Sequence, residues 1–153
     1  MKKNIVLILF VFSMQFCYTQ CLLTFNELKK STNYNQSDFE TFALKKGFSY
    51  NSYLDAFVCD NEYSQGANVQ LRRYNGENNS NLIQYIFFQK SQYLDYKTAL
   101  ENKGRLENTN VENNSLISKY IYDNRLVMLT TKTIESITVY LIAISNEKLN
   151  KIR

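Results

Sequence analysis

Apolar positions along this chain follow two periods. Phe39, Phe42 and Ala43 recur at the three-to-four spacing of one helix face, and Tyr93, Tyr96 and Leu100 repeat it. The spacing predicts helices near Asp38 to Lys46 and onward from Ser91, stopped by Gly47 and Gly104. A shorter helix is predicted near Phe25 to Lys30. Thr24-Phe-Asn-Glu27 and Ser37-Asp-Phe-Glu40 both have the form of a capping box. In that motif the hydroxyl accepts from the third helical amide while the Glu reaches back to the cap amide.

Between the helices lie β-rich runs. One set falls near Ala56–Tyr63, Ala67–Tyr74 and Asn81–Gln89, with turns at Ser64-Gln-Gly66 and Asn75-Gly76. A second falls near Leu116–Tyr122, Arg125–Thr131 and Ile137–Ser145, with Asp123-Asn124 as a tight hairpin turn. Residues Arg105 to Asn114 are polar and Asn-rich, and read as a loop with room for a short strand.

The two sets align without a gap at an offset of 57 residues. Asp38-Phe39 falls on Asp95-Tyr96, Lys46-Gly47 on Lys103-Gly104, and Leu82–Phe88 on Val139–Ser145. The shared order predicts an α+β domain built by tandem duplication, with repeats at residues 38–89 and 95–146. Each repeat is a helix plus a three-stranded antiparallel meander, with the helices packed on one face of the sheet. At the level of fold alone this order resembles two groups, the small lipoproteins of the outer-membrane assembly machinery and the duplicated β-lactamase-inhibitor proteins. Neither family's motifs occur here, so no residue role is carried over.

The third strand of each repeat is apolar on both faces. Ile83, Tyr85 and Phe87 oppose Leu82, Ile86 and Phe88; Tyr140, Ile142 and Ile144 oppose Val139, Leu141 and Ala143. An antiparallel sheet with one solvated face shows clean alternation instead. Six strands span about 29 Å, and three helices about 10 Å wide cover one face of that. The bulkier set, Ile83/Tyr85/Phe87 and Tyr140/Ile142/Ile144, is assigned to the core. The outer face then carries Tyr74, Ile86, Phe88, Leu129 and Leu141, with Arg72 and Gln84 among them. Such a patch suits an unknown protein partner or self-association. If the helices instead split across both faces, or the sheet curls on itself, no patch exists.

The N-terminus sets the compartment. Lys2 and Lys3 precede an apolar run from Ile5 to Cys17, and Cys17 and Thr19 place small residues before a cut at Gln20. Residues 1–19 read as a signal peptide, too short to span a bilayer, and residues 20–153 as one exported domain with no transmembrane segment. The destination is periplasm, cell envelope or extracellular space. Lipid attachment at Cys21 is the alternative, but Tyr18 and Gln20 do not match the usual attachment box. Cys17 leaves with the signal. Cys21 and Cys59 then form one disulfide, worth roughly 4 kcal/mol by loop entropy, or stay as thiols; export favours the bridge.

Composition removes more chemistry than it adds. The chain has no His, and its net charge of +4 falls to +2 without Lys2 and Lys3, which leaves no nucleic-acid footprint. Asp60–Gly66 alternates oxygen ligands as a calcium loop does. However, its Gly comes at the seventh place and Leu71 at the twelfth, so it reads as a polar turn. Asp55 with Asp60, or Asp60 with Glu62, form the carboxylate pairs available to an enzyme, and Arg72-Arg73-Tyr74 can grip an anion or simply end a strand. No catalytic residues, metal ligands or cofactor are assigned. The expectation is an exported, non-enzymatic binding module for protein. The alternatives are an envelope structural or assembly factor lipid-anchored at Cys21, a small apolar-ligand carrier, and a carboxylate enzyme.

Overall fold

The structure, a computed structural model, describes residues 21–60, 67–76 and 80–148. The predicted signal peptide and the Ser64-Gln-Gly66 turn lie outside the described residues, as does most of the Asp60–Gly66 segment. Thr24 caps helix α1 (Phe25–Ser31) as expected. Its hydroxyl accepts from the Glu27 amide at 3.2 Å, and the Glu27 carboxylate accepts from the Thr24 amide at 2.9 Å. Helix α2 (Gln36–Lys45) starts earlier than its predicted box. Asn35, not Ser37, is the cap: its backbone is extended and its amide oxygen accepts from the Asp38 N–H at 2.9 Å. Gly47 follows with a φ of 87°, the left-handed geometry expected of a helix stop. Helix α3 (Lys90–Lys103) ends at Gly104 for another reason. Gly104 is extended, and a Cβ there would meet the Leu100 carbonyl oxygen at 2.7 Å.

Each meander has four strands among the described residues, not three. The first comprises β1 (Ser49–Asn51), β2 (Ala56–Cys59), β3 (Val69–Asn75) and β4 (Asn81–Phe87). The second comprises β5 (Arg105–Glu112), β6 (Ser115–Tyr122), β7 (Arg125–Ile134) and β8 (Ile137–Lys148). The segment read as a loop is thus strand β5. It lies at a sheet edge, exposed along nearly its whole length, so no apolar alternation marks it. Asn113 and Asn114 join it to β6 with φ of 49° and 61°. Asp123 and Asn124, at 50° and 60°, repeat that geometry in the predicted β6–β7 turn.

All eight strands form one antiparallel sheet in the order β1-β2-β3-β4-β8-β7-β6-β5. The fold is mixed α+β, dominated by the sheet. Strand order reads the same from either edge, with β4 and β8 paired at the centre.

Cross-strand partners share a face, so register separates the two sides. One row runs Phe57, Leu71, Tyr85, Ile142 and Leu129. Another runs Ile83, Ile144, Val127 and Tyr120. All nine are buried. Helix side chains meet this side: Phe25 against Tyr122, Phe39 against Phe57, Tyr96 against Phe87, and Tyr93 stacked on Tyr140.

Cys21 and Cys59 are bonded, with Cα atoms 6.2 Å apart, inside the usual range for a disulfide. The bridge ties the segment before α1 to β2. Beside it, the Cys21 N–H donates to the Lys46 carbonyl at 2.9 Å. Among the described residues no helix is long and apolar enough to cross a membrane.

Candidate functional site

Opposite the core face lies the outer face, and its central row is Gln70, Ile86, Leu141, Thr130 and Ile117. The next row is Arg72, Gln84, Ala143, Met128 and Lys119. Apart from buried Ala143, these side chains are half-buried. Tyr74, at the end of β3, pairs with Leu82 on the same face and is 44 % exposed.

A polar chain runs across it. Arg72 Nη2 donates to Gln70 Oε1 at 2.8 Å and Arg72 Nη1 to the Tyr74 hydroxyl at 3.4 Å. Tyr74 donates in turn to Gln84 Oε1 at 3.2 Å. No carboxylate forms an ion pair with Arg72 among the described residues. Tyrosine, arginine and methionine beside aliphatic side chains are residue types that dominate protein–protein contacts.

The five residues predicted for this face do not all arrive there. Tyr74, Ile86 and Leu141 do, and Ile86 faces Leu141 directly. Leu129 does not. It pairs with Ile142 and is only 3 % exposed, so it belongs to the core face. The β7–β8 register decides this, because a one-residue shift moves a side chain to the other side. Phe88 lies just past β4, is half-buried, and packs against the core cluster. Arg72 and Arg73 do fall on opposite faces, across from Gln84 and Ile83.

Polar groups also sit within the core. The Tyr85 hydroxyl donates to the Cys21 carbonyl at 2.7 Å. Gln92 Nε2 donates to the Leu23 carbonyl at 2.8 Å and contacts the Tyr96 hydroxyl at 2.9 Å. Tyr96 also bonds the Leu23 carbonyl. Burial pushes both phenols well above their ordinary pKa. These groups fasten the segment before α1 to β4 and α3, and they remain protonated donors at any physiological pH. An open cleft of about 330 Å³ lies beside them, lined by Leu23, Phe25, Gln92 and Tyr96.

Of the paired carboxylates, Glu62 lies outside the described residues. Asp55 accepts from the Tyr50 hydroxyl at 2.7 Å, and that bond raises the Tyr50 pKa. Both line a cleft of about 430 Å³ with Glu40. Burial raises the Glu27 pKa, but hydrogen bonds from Lys46 and Thr24 outweigh it and hold the carboxyl below its usual value. Among the described residues no three His, Cys, Asp or Glu side chains cluster as metal ligands. The reading from sequence missed Gln70, whose bond to Arg72 follows from i, i+2 spacing on one strand face. No family model, no curated protein and no solved structure matches this chain.

Proposed function

We propose that this protein is an exported, non-enzymatic binding module that engages a protein partner through the outer face of its sheet. One observation carries the reading: the Ile86–Leu141 row and the Arg72–Tyr74–Gln84 chain form a continuous, half-exposed apolar and polar platform. The helices occupy the opposite face in this reading. Their ring contacts to Phe57, Phe87, Tyr122 and Tyr140 support it, since each of these is a core residue.

Export after cleavage before Gln20 belongs to the same reading. The Cys21–Cys59 bridge supports it, because disulfides persist in oxidising compartments. A bridged Cys21 also competes with the lipid-anchored assembly factor, which needs that sulfur for lipid. Tandem duplication accounts for the symmetric strand order. The offset of 57 carries Tyr85 onto Ile142, its own cross-strand partner, and carries the Ile83–Ile144 pair onto Tyr140–Phe87. The repeats then meet about a pseudo-two-fold axis through the centre of the sheet.

The test is capture from the native envelope with tagged wild-type protein and with a variant carrying Ile86→Lys and Leu141→Glu. The reading predicts a stoichiometric partner, or a second copy of the chain, that the variant loses at an unchanged melting temperature. Tyr74→Ala is the milder variant if the pair unfolds. The same proteins retained by wild type and variants, or none retained by wild type, would contradict it.

A further inference from the structure

At the end of the core face, where β3 gives way to its turn, two arginines break the apolar pattern. Arg73 stands opposite Ile83 and two residues from fully buried Leu71. Its Nη2 donates to Asn81 Oδ1 at 2.9 Å. Its Nε and Nη1 are buried and have no acceptor among the described residues. Arg125, at the start of β7, reaches the turn between α1 and α2 from the other side. Its Nη1 donates to Thr32 Oγ1 at 3.1 Å, its Nη2 to Asn33 Oδ1 at 3.5 Å, and its buried Nε has no acceptor among the described residues. Asn81 and Thr32 link the two arginines, since Asn81 Nδ2 donates to the Thr32 carbonyl at 3.3 Å and Arg125 bonds the Thr32 hydroxyl.

Neither guanidinium forms an ion pair with a carboxylate among the described residues. Asp123, whose charge feels Arg125, is bonded to Lys29 at 2.9 Å. Arg73 is partly desolvated, which lowers its pKa, and among the described residues no counter-charge offsets that burial. Leaving charged donors buried and unmatched is costly, and native structures rarely do it without a reason. The Tyr85–Gln92–Tyr96 group on the same face shows the usual outcome, with its hydroxyl and amide groups hydrogen-bonded.

Arg73 forms one wall of a cleft of about 410 Å³. The other walls include Asn33, Tyr34, Asn35, Asn75 and Asn81, and among the described residues no acidic side chain lines it. The volume suits a molecule of monosaccharide size. Asn amides offer donors and acceptors for hydroxyls, and Tyr34 offers an aromatic edge.

We propose that this cleft binds a small polyhydroxylated anion, its carboxylate or phosphate held by Arg73 with Arg125 behind it and its hydroxyls met by the asparagines. Arginine suits both oxyanions through charge-assisted hydrogen bonds. This site is independent of the outer face.

Isothermal titration of the purified protein with glucuronate, glucose 6-phosphate, glucose, acetate and inorganic phosphate tests it. The expected result is saturable 1:1 binding of glucuronate or glucose 6-phosphate, at least about tenfold tighter than glucose, acetate or phosphate. Whichever anionic sugar binds tighter identifies the oxyanion. Arg73→Gln should weaken binding about tenfold or more, and Arg105→Gln, a distant surface charge, should leave it unchanged. Asn75→Asp, an exposed change that adds a negative wall, should weaken it too and serves if Arg73→Gln does not fold. Equal binding of glucose, wild-type affinity in Arg73→Gln or Asn75→Asp, or no saturation by either sugar anion at 10 mM would overturn the proposal. Glu77, next to Gly76 in sequence, lies outside the described residues. If Glu77→Gln destabilises the protein and creates anion affinity absent from wild type, the chain supplies its own counter-ion and the proposal fails.

Discussion

The two faces of the sheet both carry large apolar side chains and differ in how deeply they bury them. Along β4, Ile83, Tyr85 and Phe87 are no more than 1 % exposed, whereas Leu82, Gln84 and Ile86 are half-buried. β8 divides the same way, with Ile142 buried and Leu141 half-buried beside it. Hydrophobicity alone does not distinguish Leu129 from Leu141; their register does. An apolar side chain in the middle of a strand is therefore core or contact surface according to its row.

The largest effect that can break this contrast lies on the core side. Ile142→Ala should cost about 2–5 kcal/mol in a denaturant titration, since Ile142 is 1 % exposed and packed between Tyr85 and Leu129. A loss under about 1 kcal/mol would mean that this row is not the core. Reducing the Cys21–Cys59 bridge should cost about 2–4 kcal/mol, because it closes a separation of 38 residues and anchors the chain above this face. Melting with and without reductant measures that.

Alkaline pH probes the buried phenols. Tyr85 and Tyr96 keep their protons in the fold and lose them near pH 10 when unfolded, so their contribution is complete below pH 10. Above it, stability should fall by about 1.4 kcal/mol per pH unit for each of the two. Tyr96→Phe should lower the slope by about 1.4 kcal/mol per pH unit, and an unchanged slope would place that phenol in solvent. The smallest effect belongs to the outer face. Ile86→Thr should change stability by no more than about 0.5 kcal/mol while weakening partner capture.

Much of this fold was legible in local signals. Thr24 and Glu27 announce α1, and Asp123-Asn124 announce the β6–β7 turn, because each acts through its own backbone. Strand β5 was not legible. It is an edge held by backbone pairing to β6, and side chains exposed on both faces leave no alternation to read. Leu129 was assigned to the wrong face because parity between β4 and β7 passes through β8 and needs its register. The α2 cap shifted because Asn35 and Ser37 both offer an oxygen, and only backbone geometry chooses between them. The arginine cleft was beyond reach, since Asn33, Arg73, Asn81 and Arg125 converge from four separate segments.

The matched pair Leu129→Thr and Leu141→Thr tests the two-faced sheet most directly. Both leucines lie within paired central strands, and threonine suits a strand in either place, so propensity cancels and burial remains. In parallel urea titrations the account predicts a loss of about 2–4 kcal/mol for Leu129→Thr and under about 1 kcal/mol for Leu141→Thr. Equal losses would show that both faces are core and that no side of the sheet is open to a partner.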